Sequence, residues 1–337
     1  MPMNWSAQKI SPRAILVLQL QGLGDLIFTL PLFQFLRRRW PQAAITAVVP
    51  AGRGFLLDGL SQVEIVEIAN FAALARIRFD AFDLIFDVNI DVADERYRQE
   101  MQRLPQSAVG FSENTGLDDL PGQRLKIKPR HAIWRQYLAL AEEAVPFTGQ
   151  LADWSPQLPL LQAERSVNFK PNESNRLIVL APGASDSSRQ WPRASFRSLA
   201  DSLFRPGIRL AVVGYHSEKL WDNAAATPHL HDFTGAPLAD TLAVLSEAEL
   251  VVGNDTGLLH CAAALGRPVV GLYGPGDAIK YQPLGDNFTV IWMARGKVAD
   301  ISVNEVTTVC QLMEIKREKG VEDNRWSNKR RLVVLDF

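Results

Sequence analysis

Three loops hold the side chains whose types and spacing could do chemistry. The first, Gln21-Gly22-Leu23-Gly24-Asp25, follows the apolar run Ile15–Leu20 and opens an amphipathic stretch. Its G-x-G lacks the third glycine of a dinucleotide fingerprint, and no Gly-Lys-Ser/Thr follows, so neither hydride transfer from a nicotinamide nor a Walker-type phosphate loop is indicated. Asp25 reads from its position either as a helix cap accepting backbone N–H bonds or as a carboxylate held at a cleft floor to take a proton. The second loop, Ala181-Pro182-Gly183-Ala184-Ser185-Asp186-Ser187-Ser188-Arg189-Gln190-Trp191-Pro192, combines small residues, hydroxyls and one planar cation. That set suits phosphate oxygens, and it also suits a plain surface turn before a helix starting after Pro192.

The third loop is the most informative. After Leu250-Val251-Val252-Gly253 comes Asn254-Asp255-Thr256-Gly257-Leu258-Leu259-His260, running into an alanine-rich helix closed by Gly266. A helix N-terminus with glycine in its first turn favours a diphosphate, because unpaired N–H groups point at it and nothing blocks its approach. Asp255 or Thr256 could equally be an ordinary cap, and His260 a packing histidine.

These loops need strands that end where they begin. Short apolar runs alternate with helical periodicity throughout, which predicts β-α-β units and parallel sheets. Strands are expected at Ile15–Leu20, Ile45–Val49, Val63–Ile68 and Leu84–Asp87, with a helix over about 26–38. The spacing repeats with strands starting near Leu177, Arg209, His231 and Leu250 and a helix over about 193–203. Two Rossmann-like domains in tandem follow, over 1–165 and 172–315, with a polar hinge at Gln162–Asn175 and an unassigned tail over 316–337. The fold class expected is α/β, with ligand in a cleft between two parallel sheets, beyond the carboxyl ends of the strands.

Composition agrees with this class and excludes others. The chain has 337 residues, 47% hydrophobic and 22% charged, with 36 Lys+Arg against 37 Asp+Glu for a net charge of −1. Neither half carries the basic excess of a nucleic-acid binder. Two cysteines, Cys261 and Cys310, form no zinc or disulfide pattern and fit a reducing, cytoplasmic compartment. No apolar stretch reaches the roughly 18 residues of a membrane span, and no Asp-x-Asp occurs.

The pieces L-Q-L-Q-G-L-G-D-L-I-F-T-L-P, V-G-F-S-E-N at Val109–Asn114, A-P-G-A-S-D-S-S-R-Q-W-P and N-D-T-G-L-L-H-C-A-A-A-L-G-R-P-V-V-G-L-Y-G-P, in this order and spacing, resemble the bacterial heptosyltransferases of glycosyltransferase family 9. The resemblance covers about 13–315 and is most specific over Asn254–Pro275. It implies a GT-B fold and a metal-free, inverting transfer of heptose from ADP-heptose to lipopolysaccharide inner core. It also implies Asp25 as base in an N-terminal acceptor domain. Donor contacts would come from Ser185, Arg189, Glu218, Asp255, Thr256, Gly257 and His260 in a C-terminal domain.

This chain departs from the family pattern at Gln21-Gly22, at Arg189 in place of lysine, at Gly276 and at Asn89-Ile90-Asp91. Donor chemistry is therefore expected, while the acceptor stays open. Arg53, Asn89, Asp91, Arg96 and Arg98 follow N-domain strands and are the candidate acceptor contacts, each of which reads also as plain surface. A protein or natural-product acceptor, a nucleotide-sugar epimerase, or a silent nucleotide-sugar binder would share these features. The expected partners are a nucleotide sugar and a glycan or glycolipid, with no cofactor, metal or nucleic acid. Arg37-Arg38-Arg39-Trp40 reads as a cationic helix end, or as a patch for peripheral contact with the inner-membrane surface.

Overall fold

Runs such as Ala-Ile-Leu-Val-Leu and Ile-Val-Leu-Ala are rich in branched residues and lie buried in strands of sheets covered on both faces, as parallel strands do. The computed structural model describes residues 11–60, 62–90, 92–111, 120–128, 131–144, 176–221, 230–274, 276–285, 287–318 and 331–335. It divides into two compact units, Met1–Leu161 and Gln162–Phe337. The expected hinge at Gln162–Asn175 lies outside the described residues.

In the first unit, strands β1 (Ala14–Leu18), β2 (Ala44–Pro50), β3 (Val63–Ile68), β4 (Leu84–Asp87), β5 (Ala108–Phe111) and β6 (Gln123–Leu125) form one sheet in the order β3-β2-β1-β4-β5-β6. Every neighbouring pair is parallel. This is the doubly wound order, and its direction reverses between β1 and β4, where Leu18 is paired with Asp87. The loops leaving those two strands therefore diverge and open a crevice at their carboxyl ends. The sheet is covered by α1 (Leu23–Phe28), α2 (Leu30–Arg39), α3 (Glu95–Met101) and α4 (Ile133–Ala144).

The single helix expected over 26–38 is two. Pro31 sits at the start of α2 and cannot donate to the preceding turn, so the helix breaks at Thr29, whose hydroxyl donates to the Leu26 carbonyl at 2.5 Å. At the far end of α2, Arg37 donates to the carbonyls of Pro41, Ala43 and Gln62 at 2.9, 2.9 and 2.7 Å. Trp40 is buried beneath Arg39. The basic-aromatic cluster thus locks a helix C-terminus, and it does not present its tryptophan outward.

The second unit repeats the plan with β7 (Arg176–Ala181), β8 (Ile208–Gly214), β9 (Leu230–Thr234), β10 (Leu250–Asn254), β11 (Val269–Tyr273), β12 (Phe288–Met293) and β13 (Arg331–Leu335). The order is β13-β12-β11-β10-β7-β8-β9, again all parallel, with the reversal between β7 and β10. Helices α5 (Arg193–Leu203), α6 (Leu238–Ser246), α7 (Gly257–Ala264) and α8 (Val303–Glu318) complete the unit. The core on one face gathers Phe196, Leu199 and Leu203 of α5 with Val306 and Cys310 of α8 around Trp191. Trp191 meets Phe196 edge-on at 5.0 Å. Its indole N–H donates to the Ile301 carbonyl at 2.8 Å, so a large buried ring carries no unpaired donor. Part of the unassigned tail returns as β13, paired with β12 from Thr289↔Arg331 to Met293↔Leu335. Among the described residues no helix is long and apolar enough to cross a membrane.

Candidate functional site

The reversal between β7 and β10 places the second and third loops side by side, and the sequence explains how they are tied. Asn254, fully buried at the end of β10, accepts from the Trp191 backbone N–H at 3.0 Å and donates to the Pro182 carbonyl at 2.6 Å. One side chain thus pins both ends of the 182–191 loop, a role the sequence reading does not assign to it. Within the loop, Asp186 accepts the Ser188 N–H at 2.8 Å and starts the 3-10 turn Ser187–Arg189. That bond holds the Asp186 carboxyl below the usual aspartate range. Arg189 is thereby aimed at β10.

Four of the expected donor residues form one connected cluster. Arg189 donates through Nη1 to Asp255 Oδ2 at 3.2 Å and through Nη2 to Ser185 Oγ at 2.7 Å. The other Asp255 oxygen meets His260 Nε2 at 3.2 Å. Asp255 and His260 are nearly buried, whereas the Arg189 side chain keeps 35% of its surface exposed. With both carboxylate oxygens engaged, Asp255 orients the guanidinium. A guanidinium has five N–H donors, so two bonds leave Arg189 able to grip an anion. Tyr273 lies buried beside Asp255 and donates to the Tyr281 carbonyl at 2.9 Å. Burial first, and the Asp255 charge second, hold this phenol well above its ordinary pKa, so it stays neutral under the cluster.

Thr256 is the N-cap of α7, as an ordinary helix start requires, but its side chain makes no capping bond. The first-turn N–H groups of α7, beginning at Gly257, therefore point outward without the side-chain acceptor that caps usually supply. Positive helix end and Arg189 converge at the carboxyl end of the β7–β10 reversal, the arrangement that suits a diphosphate.

Glu218 stands apart from that cluster, across the 182–192 loop. It lines a pocket of about 340 Å³ together with Pro182, Ala184, Ser187, Gln190, Trp191, Pro192, Arg193 and Ser217. Glu218 Oε2 accepts the Tyr215 N–H at 2.8 Å, and Arg193 donates to the Ser217 carbonyl beside it. Burial raises the Glu218 carboxyl, against a smaller lowering by the Tyr215 bond. The carboxylate fits only because two glycines make room: a Cβ on Gly183 would lie 2.2 Å from it, and one on Gly214 also 2.2 Å. Gly183→Ala is expected to leave the fold intact while expelling the Glu218 carboxylate from its seat. If Glu218 is a donor contact, nucleotide affinity measured by calorimetry should drop about tenfold, the worth of one charge-assisted hydrogen bond. Wild-type affinity in this variant would show that the seat is not needed.

In the first unit, Asp25 is not the N-cap of α1. Gly22 caps it, and Asp25, three positions on, reaches back to accept the Gly22 N–H at 3.1 Å. The side chain is half-buried at the end of the β1–β4 reversal. Arg53, from the loop after β2, donates to the Gln21 carbonyl at 2.6 Å and so lies against the same turn. Its own loop is clipped by Glu67, which accepts from Gly52 and Gly54 at 3.0 and 2.6 Å and whose carboxyl is lowered by those bonds.

Asn89 is 1% exposed and fully used internally, with Oδ1 on the Leu20 N–H at 2.7 Å and Nδ2 on the Leu18 carbonyl and Asp87 Oδ1 at 3.0 and 2.9 Å. It does not face a ligand. Arg96 is exposed on α3, Arg98 half-buried on the same helix, and Asp91 lies outside the described residues.

The profile of Glycosyltransferase family 9 (heptosyltransferase) matches residues 120–308, more than half of the chain. Lipopolysaccharide heptosyltransferase 2 of Escherichia coli strain K12 is 26% identical over 318 residues, spanning 84% of this chain and 88% of that protein. Lipooligosaccharide heptosyltransferase 2 of Haemophilus influenzae is 26% identical over 210 residues, a match of 57% of this chain and 60% of that protein. In fold, the chain is similar to the solved ADP-heptose lipopolysaccharide heptosyltransferase II of E. coli, with a TM-score of 0.74 at 23% identity over 90% of this chain and 99% of that one. Two parallel doubly wound sheets, in the GT-B manner, and a profile match that runs through both loops at the β7–β10 reversal lead to one conclusion: the chain belongs to glycosyltransferase family 9, the heptosyltransferases.

Proposed function

We propose that this glycosyltransferase moves a heptose from ADP-heptose to a hydroxyl of lipopolysaccharide core in a single inverting displacement. The observation that carries the donor side is the uncapped N-terminus of α7 beside Arg189, itself held by Asp255. The diphosphate lies over Thr256 and Gly257 and against Arg189, with Ser185 and His260 fixing that cluster. The ribose hydroxyls bond to Glu218 in the neighbouring pocket. The names of the similar proteins support ADP-heptose as donor and a lipopolysaccharide acceptor.

Asp25 takes the proton of the attacking hydroxyl as its oxygen bonds to the anomeric carbon. The bond from that carbon to the diphosphate breaks, and ADP leaves with the electron pair. Negative charge grows on the departing diphosphate, where the helix N–H groups and Arg189 are already in place, so no reorganisation is needed at that moment. Arg53, beside the Asp25 turn, offers its remaining donors to an anionic acceptor. We place the reaction in the cytoplasm, at the surface of the membrane that carries the acceptor, and without a metal ion.

Titration of the purified protein with ADP, GDP, UDP, CDP and dTDP, each with and without magnesium, tests the donor. ADP should bind best and equally in both conditions. Preference for another base, or binding that requires magnesium, would overturn the proposed donor site.

A further inference from the structure

The turn carrying Asp25, at the carboxyl end of the central strands β1 and β4, is fastened by several side chains. Regular pairing of β1 with β4 ends at Leu18↔Asp87. Beyond it, Gln21 continues the ladder with its side chain: Oε1 accepts the Ile90 N–H at 2.7 Å and Nε2 donates to the Ile90 carbonyl. The Gln21 backbone is engaged as well, its N–H with Gln19 Oε1 at 2.8 Å and its carbonyl with Arg53. Asn89 closes the same gap one layer deeper, bonded to Leu18 and Leu20 on one strand and to Asp87 on the other. Asp87 is in turn fixed by the Tyr97 hydroxyl at 2.6 Å and by Arg124 at 2.9 Å, a fully buried anchor. Gln21 and Asn89 are two of the places where this chain departs from the family pattern, and here they face each other across one joint.

We infer that Gln21 and Asn89 act together as positioning residues for the transfer reaction, clasping β1 to β4 so that the turn presents Asp25 at a fixed place. This rests on the reading of Asp25 as the base. The link is direct in the chain: Gln21 precedes Gly22, whose N–H holds the Asp25 carboxylate. A shift of Gln21 moves that N–H and with it the carboxylate, and a displacement of about 1 Å in a proton-accepting group costs on the order of 10²-fold in rate. The donor loops belong to the other unit and do not depend on the clasp.

The test uses Gln21→Met, which keeps the side chain's length at a half-buried position and removes both bonds to Ile90. ADP-heptose and heptose-truncated core lipid serve as substrates. Expected are a kcat lower by about 10- to 100-fold, an unchanged KM for ADP-heptose and a melting temperature lower by several degrees, since the Ile90 N–H and carbonyl lose their partners. Gln21→Glu, which sets a carboxylate oxygen against the Ile90 carbonyl in place of the donating amide, should not recover the parental kcat. The double variant Gln21→Met/Asp25→Asn should turn over no more slowly than Asp25→Asn alone, since the clasp acts through that carboxylate. A parental kcat in Gln21→Met, or losses that multiply in the double variant, would overturn the clasp while leaving Asp25 as base. Full turnover in Asp25→Asn would instead remove the base, and the clasp's purpose with it.

Discussion

Asp25→Asn should lower kcat by about 10²–10⁴-fold, the usual worth of a positioned general base, while ADP affinity stays at the parental value. The amide can still accept the Gly22 N–H, so the start of α1 and the stability of the unit are preserved. Only the capacity to hold a proton is removed. ADP affinity is spared because Arg189, Glu218, Thr256 and Gly257 all belong to the second unit. Steady-state rates and a calorimetric titration on the same preparation separate the two quantities. Unchanged turnover would take Asp25 out of the reaction, and a parallel loss of ADP affinity would show that the variant acts through folding.

Arg189→Ala is expected to damage both binding and chemistry. Its guanidinium is the cation beside the α7 N-terminus and is held there by Asp255 and Ser185. Removing it deletes charge-assisted bonds of about 1.5–3 kcal/mol each. It also leaves the nearly buried Asp255 carboxylate next to an incoming diphosphate. ADP affinity should fall by about 10- to 100-fold and kcat/KM by a further factor, since donors aimed at developing charge are worth about 10²–10³ in rate. Arg189→Lys should recover part of this, because an ammonium supplies charge without the planar fork that Asp255 and Ser185 grip. Parental ADP affinity in Arg189→Ala would remove the residue from the phosphate site.

The fold was legible in the sequence where burial dictates pattern. Leu84–Asp87 falls on its expected bounds because a strand buried on both faces leaves a continuous run, and Val63–Ile68 does so as a half-exposed edge strand whose valines and isoleucines are interspersed with Glu64 and Glu67. The break at Thr29 was written in Pro31, but the amphipathic period runs through it and masks it. The strand Arg331–Leu335 carries a short apolar run, Leu332–Leu335, that suits a strand, but so short a run does not say which sheet it joins until it pairs with β12.

The same contrast holds at the site. Asp255, Thr256 and Gly257 announce themselves by type and by their place between strand and helix. Asn254 does not, since nothing local tells a buried amide that staples two loops from one that faces a ligand. Asn89 shows the converse: its position after a strand suggested the surface, and its bonds to Leu18, Leu20 and Asp87 come from residues distant in sequence. Gly183 and Gly214 likewise have meaning only once Glu218 is seated between them.

The reaction proposed for this enzyme is heptosyl transfer from ADP-heptose to core lipid. The most direct test incubates the enzyme with ADP-heptose, EDTA and core lipids truncated at successive heptose positions, and weighs lipid and nucleotide by mass spectrometry. One heptose gained by one of the lipids for each ADP released is the predicted result. ADP-heptose that survives intact with every core lipid, or that is hydrolysed or epimerised with no lipid gaining mass, would contradict it.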